Sequence, residues 1–67
     1  MVNQIKKSLI LSGHKTSVAI EKDFWIALDK IAKNKNITIE SLIQYIDQDE
    51  RDGSLASAIR VFILNSL

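Results

Sequence analysis

The stretch Lys15–Ile20, K-T-S-V-A-I, restricts the fold more than any other. Its side chains alternate. Thr16, Val18 and Ile20 point one way, and Lys15, Ser17 and Ala19 point the other. β-Branched residues dominate the first set, which suits a strand with one buried face. Amphipathic helical spacing follows at once. A lone strand of this kind leaves a ladder of backbone N–H and C=O groups without partners. The chain must therefore find a second strand, either within itself or in another molecule.

Size sharpens that demand. With 67 residues the chain is one domain, and a domain this small buries only ~60% of its unfolded surface. Small domains usually add disulfides, a metal or a partner subunit. There is no cysteine and only one histidine, His14, which leaves neither a disulfide nor a set of metal ligands. A second copy of the chain is the expected stabiliser. Hydrophobic residues make up 46% of the chain, enough for a core and unlike a disordered segment.

Glu21 to Asn34 reads as a first helix. Phe24, Leu28, Ile31 and Ala32 keep the spacing of a buried stripe, widened by Trp25. Glu21 and Asp23 open it and Lys30, Lys33 and Lys35 close it, the order that the helix dipole favours. Asn34-Lys35-Asn36 interrupts the pattern. A second helix is expected over 38–50, with Thr38 as N-cap and Ile39, Leu42, Ile43 and Ile46 as its apolar stripe. It should fray in the charged run Asp47–Asp52. A third helix is expected over 54–66, capped by Ser54, with Leu55, Ala58, Ile59, Phe62 and Ile63 facing inward. Val61 and Leu64 make this last helix apolar on more than one side, as if it met two surfaces. The glycines mark turns, Gly13 in S-G-H and Gly53 in D-G-S.

Residues 5–11 have two readings. They pair with Lys15–Ile20 as a hairpin across Ser12-Gly13, or they form a flexible basic arm. In the hairpin, a two-residue turn sets Leu11 opposite His14, Leu9 opposite Thr16 and Lys6 opposite Ala19. Ile5, Leu9 and Leu11 then share the core face with Val18 and Ile20. Lys6, Ser8 and Ile10 share the outer face with Lys15 and Ser17. Lys7 alone is misplaced.

Net charge is only +1, but it is unevenly spread. Residues 1–36 carry seven lysines against three carboxylates, +4; residues 37–67 carry two arginines against five, −3. A basic working end and an acidic far end are implied. No apolar run approaches the ~20 residues of a membrane span, and Leu9–Leu11 is too short for a signal-peptide core. The cytoplasm is expected by elimination. Catalysis has no support: Ser17 and Ser57 lie in no nucleophile frame, there is no phosphate loop, and no cofactor is expected. His14 reads as a turn residue. Arg60 reads as half of an ion pair, with Asp47 or Glu50 as partner. Trp25 reads as core or subunit interface.

The alternating T-S-V-A-I strand, the helix entry E-K-D-F, the short N-K-N-I turn and the second-helix opening T-I-E-S together resemble the ribbon-helix-helix family of Arc/MetJ-type DNA-binding proteins. S-G-H-K-T-S-V at Ser12–Val18, F-W at Phe24-Trp25 and S-A-I-R-V-F at Ser57–Phe62 resemble a bacterial subgroup of it. The resemblance covers residues 6–67. It implies a mainly α fold with a short β-ribbon and a third C-terminal helix. Two chains would intertwine as a homodimer with their strands antiparallel, and the ribbon would enter the DNA major groove as a transcriptional regulator does. Lys15, Ser17 and Ala19 would then face base edges, Lys6 would join the DNA surface, and Thr38 and Ile39 would offer backbone N–H groups to a phosphate. Thr16, Val18, Ile20, Trp25, Ile43 and Ile46 would form the dimer interface. The alternative is a dimeric protein-interaction module of the same fold without DNA binding. It draws on the short Ala19, the acidic Glu40 and the modest charge.

Overall fold

A computed structural model describes residues 3–48 and 54–66. Two antiparallel strands, β1 (Gln4–Leu11) and β2 (His14–Glu21), are followed by α1 (Lys22–Asn34), α2 (Ile39–Gln48) and α3 (Leu55–Asn65). Residues 5–11 are thus strand and not a free arm. The expected end of the second helix, at residues 49 and 50, lies outside the described residues.

The hairpin follows from its turn. Ser12 and Gly13 have φ of 51° and 81°, so both central residues are left-handed, as a two-residue type I′ turn requires. Leu11 pairs with His14, and the register runs back through Leu9↔Thr16, Lys7↔Val18 and Ile5↔Ile20. Leu9, Leu11, Val18 and Ile20 fill the inner face and are buried. The misplaced Lys7 stands on that inner face, at its rim, with its ammonium 5.0 Å from the centre of the Trp25 ring. A cation over an indole face keeps its charge solvated and still covers apolar surface.

Helix α1 ends where Asn36 turns left-handed, with φ of 57°. Ile37 N–H then reaches back to Ala32 O at 3.0 Å and Asn36 N–H to Lys33 O at 3.1 Å, the Schellman arrangement. Thr38 caps α2: its Oγ1 accepts from Ser41 N–H at 3.0 Å. Ser54 caps α3 in the same way, accepting from Ser57 N–H at 3.2 Å. The three helices pack beneath the inner face of the hairpin. Trp25, Leu28 and Ala32 of α1, Leu42, Ile43 and Ile46 of α2, and Ile59 and Ile63 of α3 complete one core. Phe24 and Ile31 lie at its margin, so the α1 stripe is centred about one residue away from the spacing read in the sequence.

Arg60 is held by Glu21, not by Asp47. Its Nε donates to Glu21 Oε1 at 3.0 Å and its Nη2 to Oε2 at 3.2 Å. Gln4 Nε2 donates to the same carboxylate at 3.1 Å. Glu50 lies outside the described residues. This cluster ties α3 to the open end of the hairpin, beside the Phe24 ring.

Candidate nucleic-acid interface

The hairpin has an outer face and two edges, and the three differ in chemistry. On the outer face Lys6 stands opposite Ala19, Ser8 opposite Ser17 and Ile10 opposite Lys15. All but Ala19 are exposed. Pairing on this scale places facing Cβ atoms ~5 Å apart. The Lys6 side chain therefore stands beside the methyl of Ala19, and a cation serves the spot where β2 itself offers only a methyl. Ser8 and Ile10 belong to the same surface. The sequence places them there only in the hairpin reading.

A two-residue turn encloses a hydrogen-bonded pair, here Leu11 and His14, and such pairs alternate along an antiparallel ladder. The main-chain groups of Lys15, Ser17 and Ala19 consequently point away from β1, along the outer edge of β2. Among the described residues they meet no partner. The outer edge of β1 is different. Ile10 N–H donates to Glu40 Oε2 at 3.4 Å, and in the turn Ser12 N–H donates to Gln44 Oε1 at 3.2 Å. Helix α2 thus covers the β1 edge near the turn, whereas the edge of β2 meets no partner among the described residues. At the other end of β1 the Trp25 indole N–H donates to Ile5 O, a carbonyl of the ladder pair with Ile20, at 2.8 Å.

At the start of α2, Ser41 N–H is capped by the Thr38 side chain and Leu42 N–H is bonded to Thr38 O. The N–H groups of Ile39 and Glu40 find no acceptor among the described residues. Thr38 is exposed and Ile39 half-buried. The Glu40 carboxylate bends to the β1 edge and so turns away from those two donors.

Of the six side chains expected at a subunit seam, Val18, Ile20, Trp25, Ile43 and Ile46 are each at most 4% exposed within the single chain. Thr16 is half-exposed. The fold spends the first five on its own core. Among the described residues no group of His, Cys, Asp and Glu is placed to hold a metal ion, and no helix is long and apolar enough to cross a membrane.

No curated protein and no solved structure matches the chain significantly. The model of the ribbon-helix-helix domain matches residues 4–67, from the first residue of β1 through all three helices. Proteins with this domain generally bind DNA as dimers, and the fold is not known as an enzymatic one. With its hairpin, its helix order and this match over nearly its whole length, the chain belongs to the ribbon-helix-helix family.

Proposed function

We propose that the chain is a homodimeric, cytoplasmic transcriptional regulator that reads the DNA major groove with β2. The open edge of β2 carries this reading. Two copies related by a two-fold axis at Ser17 would pair Lys15 with Ala19 of the second copy, Ser17 with its own counterpart, and Ala19 with Lys15. The joined sheet would have the order β1–β2–β2–β1. Val18, Ile20, Trp25, Ile43 and Ile46 would stay in their own subunit's core, and the dimer would be sealed by backbone. The exposed Val61 and Leu64 of α3 offer further apolar surface to the second copy.

Such a sheet spans about 14 Å between its outer strands, three spacings of ~4.8 Å, against a groove about 12 Å wide. The central β2 pair would reach the groove floor, with Lys15 and Ser17 at base edges and Ala19 at a thymine methyl. The β1 strands would ride at the walls, where Lys6 meets phosphate. The free N–H groups at Ile39 and Glu40, beside Thr38, would hold a further phosphate at the positive end of α2.

Fluorescence-anisotropy titration of duplex DNA against salt tests this. Phosphate contacts give a slope of ~0.9 per phosphate neutralised. Lys15→Ala should weaken binding to the preferred site by ~1–3 kcal/mol and relax its sequence preference, with thermal stability unchanged. Unaltered binding would remove Lys15 from the interface. Ile10, 62% exposed on the outer face, favours a second reading in which that face meets a protein; salt-independent absence of DNA binding would select it.

A further inference from the structure

A cleft of about 500 Å3 runs between β1 and α1 and ends at the first turn of α2. It opens on the core side of the sheet. Its β1 residues, Ile5 and Lys7, pair with Ile20 and Val18, on the face opposite Lys15 and Ser17. Two kinds of surface line it. Ile5 and Ile26 are 37% and 44% exposed, and half-buried Ile39 and the edge of Trp25 extend them into an apolar floor. Lys7, Lys22, Lys30 and Lys33 form the rim. The single carboxylate of the lining, Asp29, is engaged by Lys33 at 2.9 Å. Lys22 and Lys30 have no carboxylate within ion-pair distance among the described residues. On α1 the stripe Lys22, Ile26, Lys30 and Lys33 is about 16 Å long, eleven helical steps of ~1.5 Å each.

Among the described residues Lys22 and Lys30 make no contact that the packing of this chain uses, whereas Lys7 lies over Trp25 and Lys33 pairs with Asp29. Their arrangement has a complementary chemistry. A phosphate backbone would satisfy the rim but gain nothing from covering Ile5, Ile26 and Ile39. An uncharged apolar segment would cover the floor but draw ammonium groups out of water without compensation. A helix of about three turns with an apolar stripe and flanking carboxylates satisfies both, in the helix-in-groove manner. We infer that the β1–α1 cleft is a docking site for an acidic amphipathic helix of a partner protein. Its apolar residues lie over Ile26 and Ile5, and its carboxylates lie opposite Lys22 and Lys30. The β1 and α1 residues of the site lie on the face opposite Lys15 and Ser17, and Ile39 alone is shared with the phosphate contact proposed above.

Trp25, the only tryptophan of the chain, lines the cleft and reports on it by its emission. The test titrates the full chain with a glutamate/leucine peptide of about four helical turns, leucines at i, i+3, i+4 and i+7. Polyglutamate of equal length and a short DNA duplex serve as competitors. The expected result is a saturable change in Trp25 emission. It should weaken about tenfold or more in K22E/K30E and in Ile26→Ser, weaken similarly with polyglutamate, and persist in Lys15→Ala. Lys22 and Lys30 are exposed, so the double variant should keep its circular dichroism; Ile26→Ser probes the floor without touching charge. Three results would overturn the inference. The first is a peptide that gives no emission change and no calorimetric heat. The second is a K22E/K30E variant that loses DNA affinity to the same extent as peptide affinity, which would make the rim a phosphate surface. The third is a K22E/K30E variant with an altered oligomeric state, which would seat a second copy in the cleft.

Discussion

Substituting Ser17 by proline separates the folding of one subunit from the pairing of two. The N–H of Ser17 lies on the open edge of β2 and donates to nothing among the described residues, so proline removes no hydrogen bond from the hairpin. Edge positions of this kind are where strands tolerate proline. The isolated subunit should lose at most about 1 kcal/mol, from adapting the strand φ to about −65°. In the dimer proposed above, Lys15, Ser17 and Ala19 exchange six backbone hydrogen bonds with the second copy, two for each of three pairs. At a net ~1 kcal/mol each they contribute ~6 kcal/mol. Proline at the two-fold axis deletes both bonds of the central pair, about 2 kcal/mol, and its ring crowds the approaching strand. Dimerisation should weaken by about 30-fold or more, and DNA binding should fall with it. Ser8→Pro, on the outer edge of β1, should leave the dimer intact. Val18→Pro breaks the ladder to Lys7 and should cost ~3 kcal/mol or more of subunit stability. Sedimentation equilibrium gives the dimer constant, and thermal melts by circular dichroism report the fold. A Ser17→Pro protein that dimerises like the parent would refute the β2 seam. One that unfolds as a monomer would refute the edge assignment.

Three further outcomes are expected. Val18→Asp places a carboxylate at a position 3% exposed in the core, at a cost of several kcal/mol, and should unfold so small a domain; a folded variant by circular dichroism would contradict the packing. Glu21 is held below its ordinary value of 4.5, first by the hydrogen bond from Gln4, then by its own backbone, and by Arg60. The unfolded chain therefore takes up this proton more readily than the folded one. The stabilisation is complete above about pH 4.5 and drains away as the pH falls through the folded-state pKa. Acid titration should show the parent losing stability in that window and Glu21→Gln losing less; identical profiles would remove the cluster as a source of acid sensitivity. Thr38→Ala removes the cap of α2 and should cost about 1 kcal/mol, with a lowered Tm; an unchanged Tm would mean that the Thr38–Ser41 bond contributes nothing net.

Much of this architecture is legible in the residues because the signals are local. The S-G turn and strict alternation set the hairpin register, down to Lys6 opposite Ala19. Thr38 and Ser54 announce their helices as caps. Other features depend on contacts distant in sequence. Arg60 and Glu21 are 39 positions apart, and no spacing rule joins them. The covering of the β1 edge by Glu40 and Gln44 needs α2 folded beside it, so Glu40 reads in the sequence as a charge near a phosphate site. Lys7 looks misplaced until Trp25 is beneath it. The five buried residues expected at a subunit seam are apolar for a reason that sequence does not resolve, since a shared core and a private one demand the same side chains. Ser8 and Ile10 join the candidate DNA surface only once residues 4–11 are known to be a strand.

The most direct test of DNA recognition is selection of fragmented genomic DNA from the source cell by the purified chain. It would be run at two salt concentrations, and the retained fragments sequenced. The proposed function predicts salt-sensitive enrichment of a repeated or palindromic site, lost in Lys15→Ala and in Ser17→Pro. No enrichment from a sample shown to be dimeric would contradict it, and would leave the outer face of the hairpin to a protein partner.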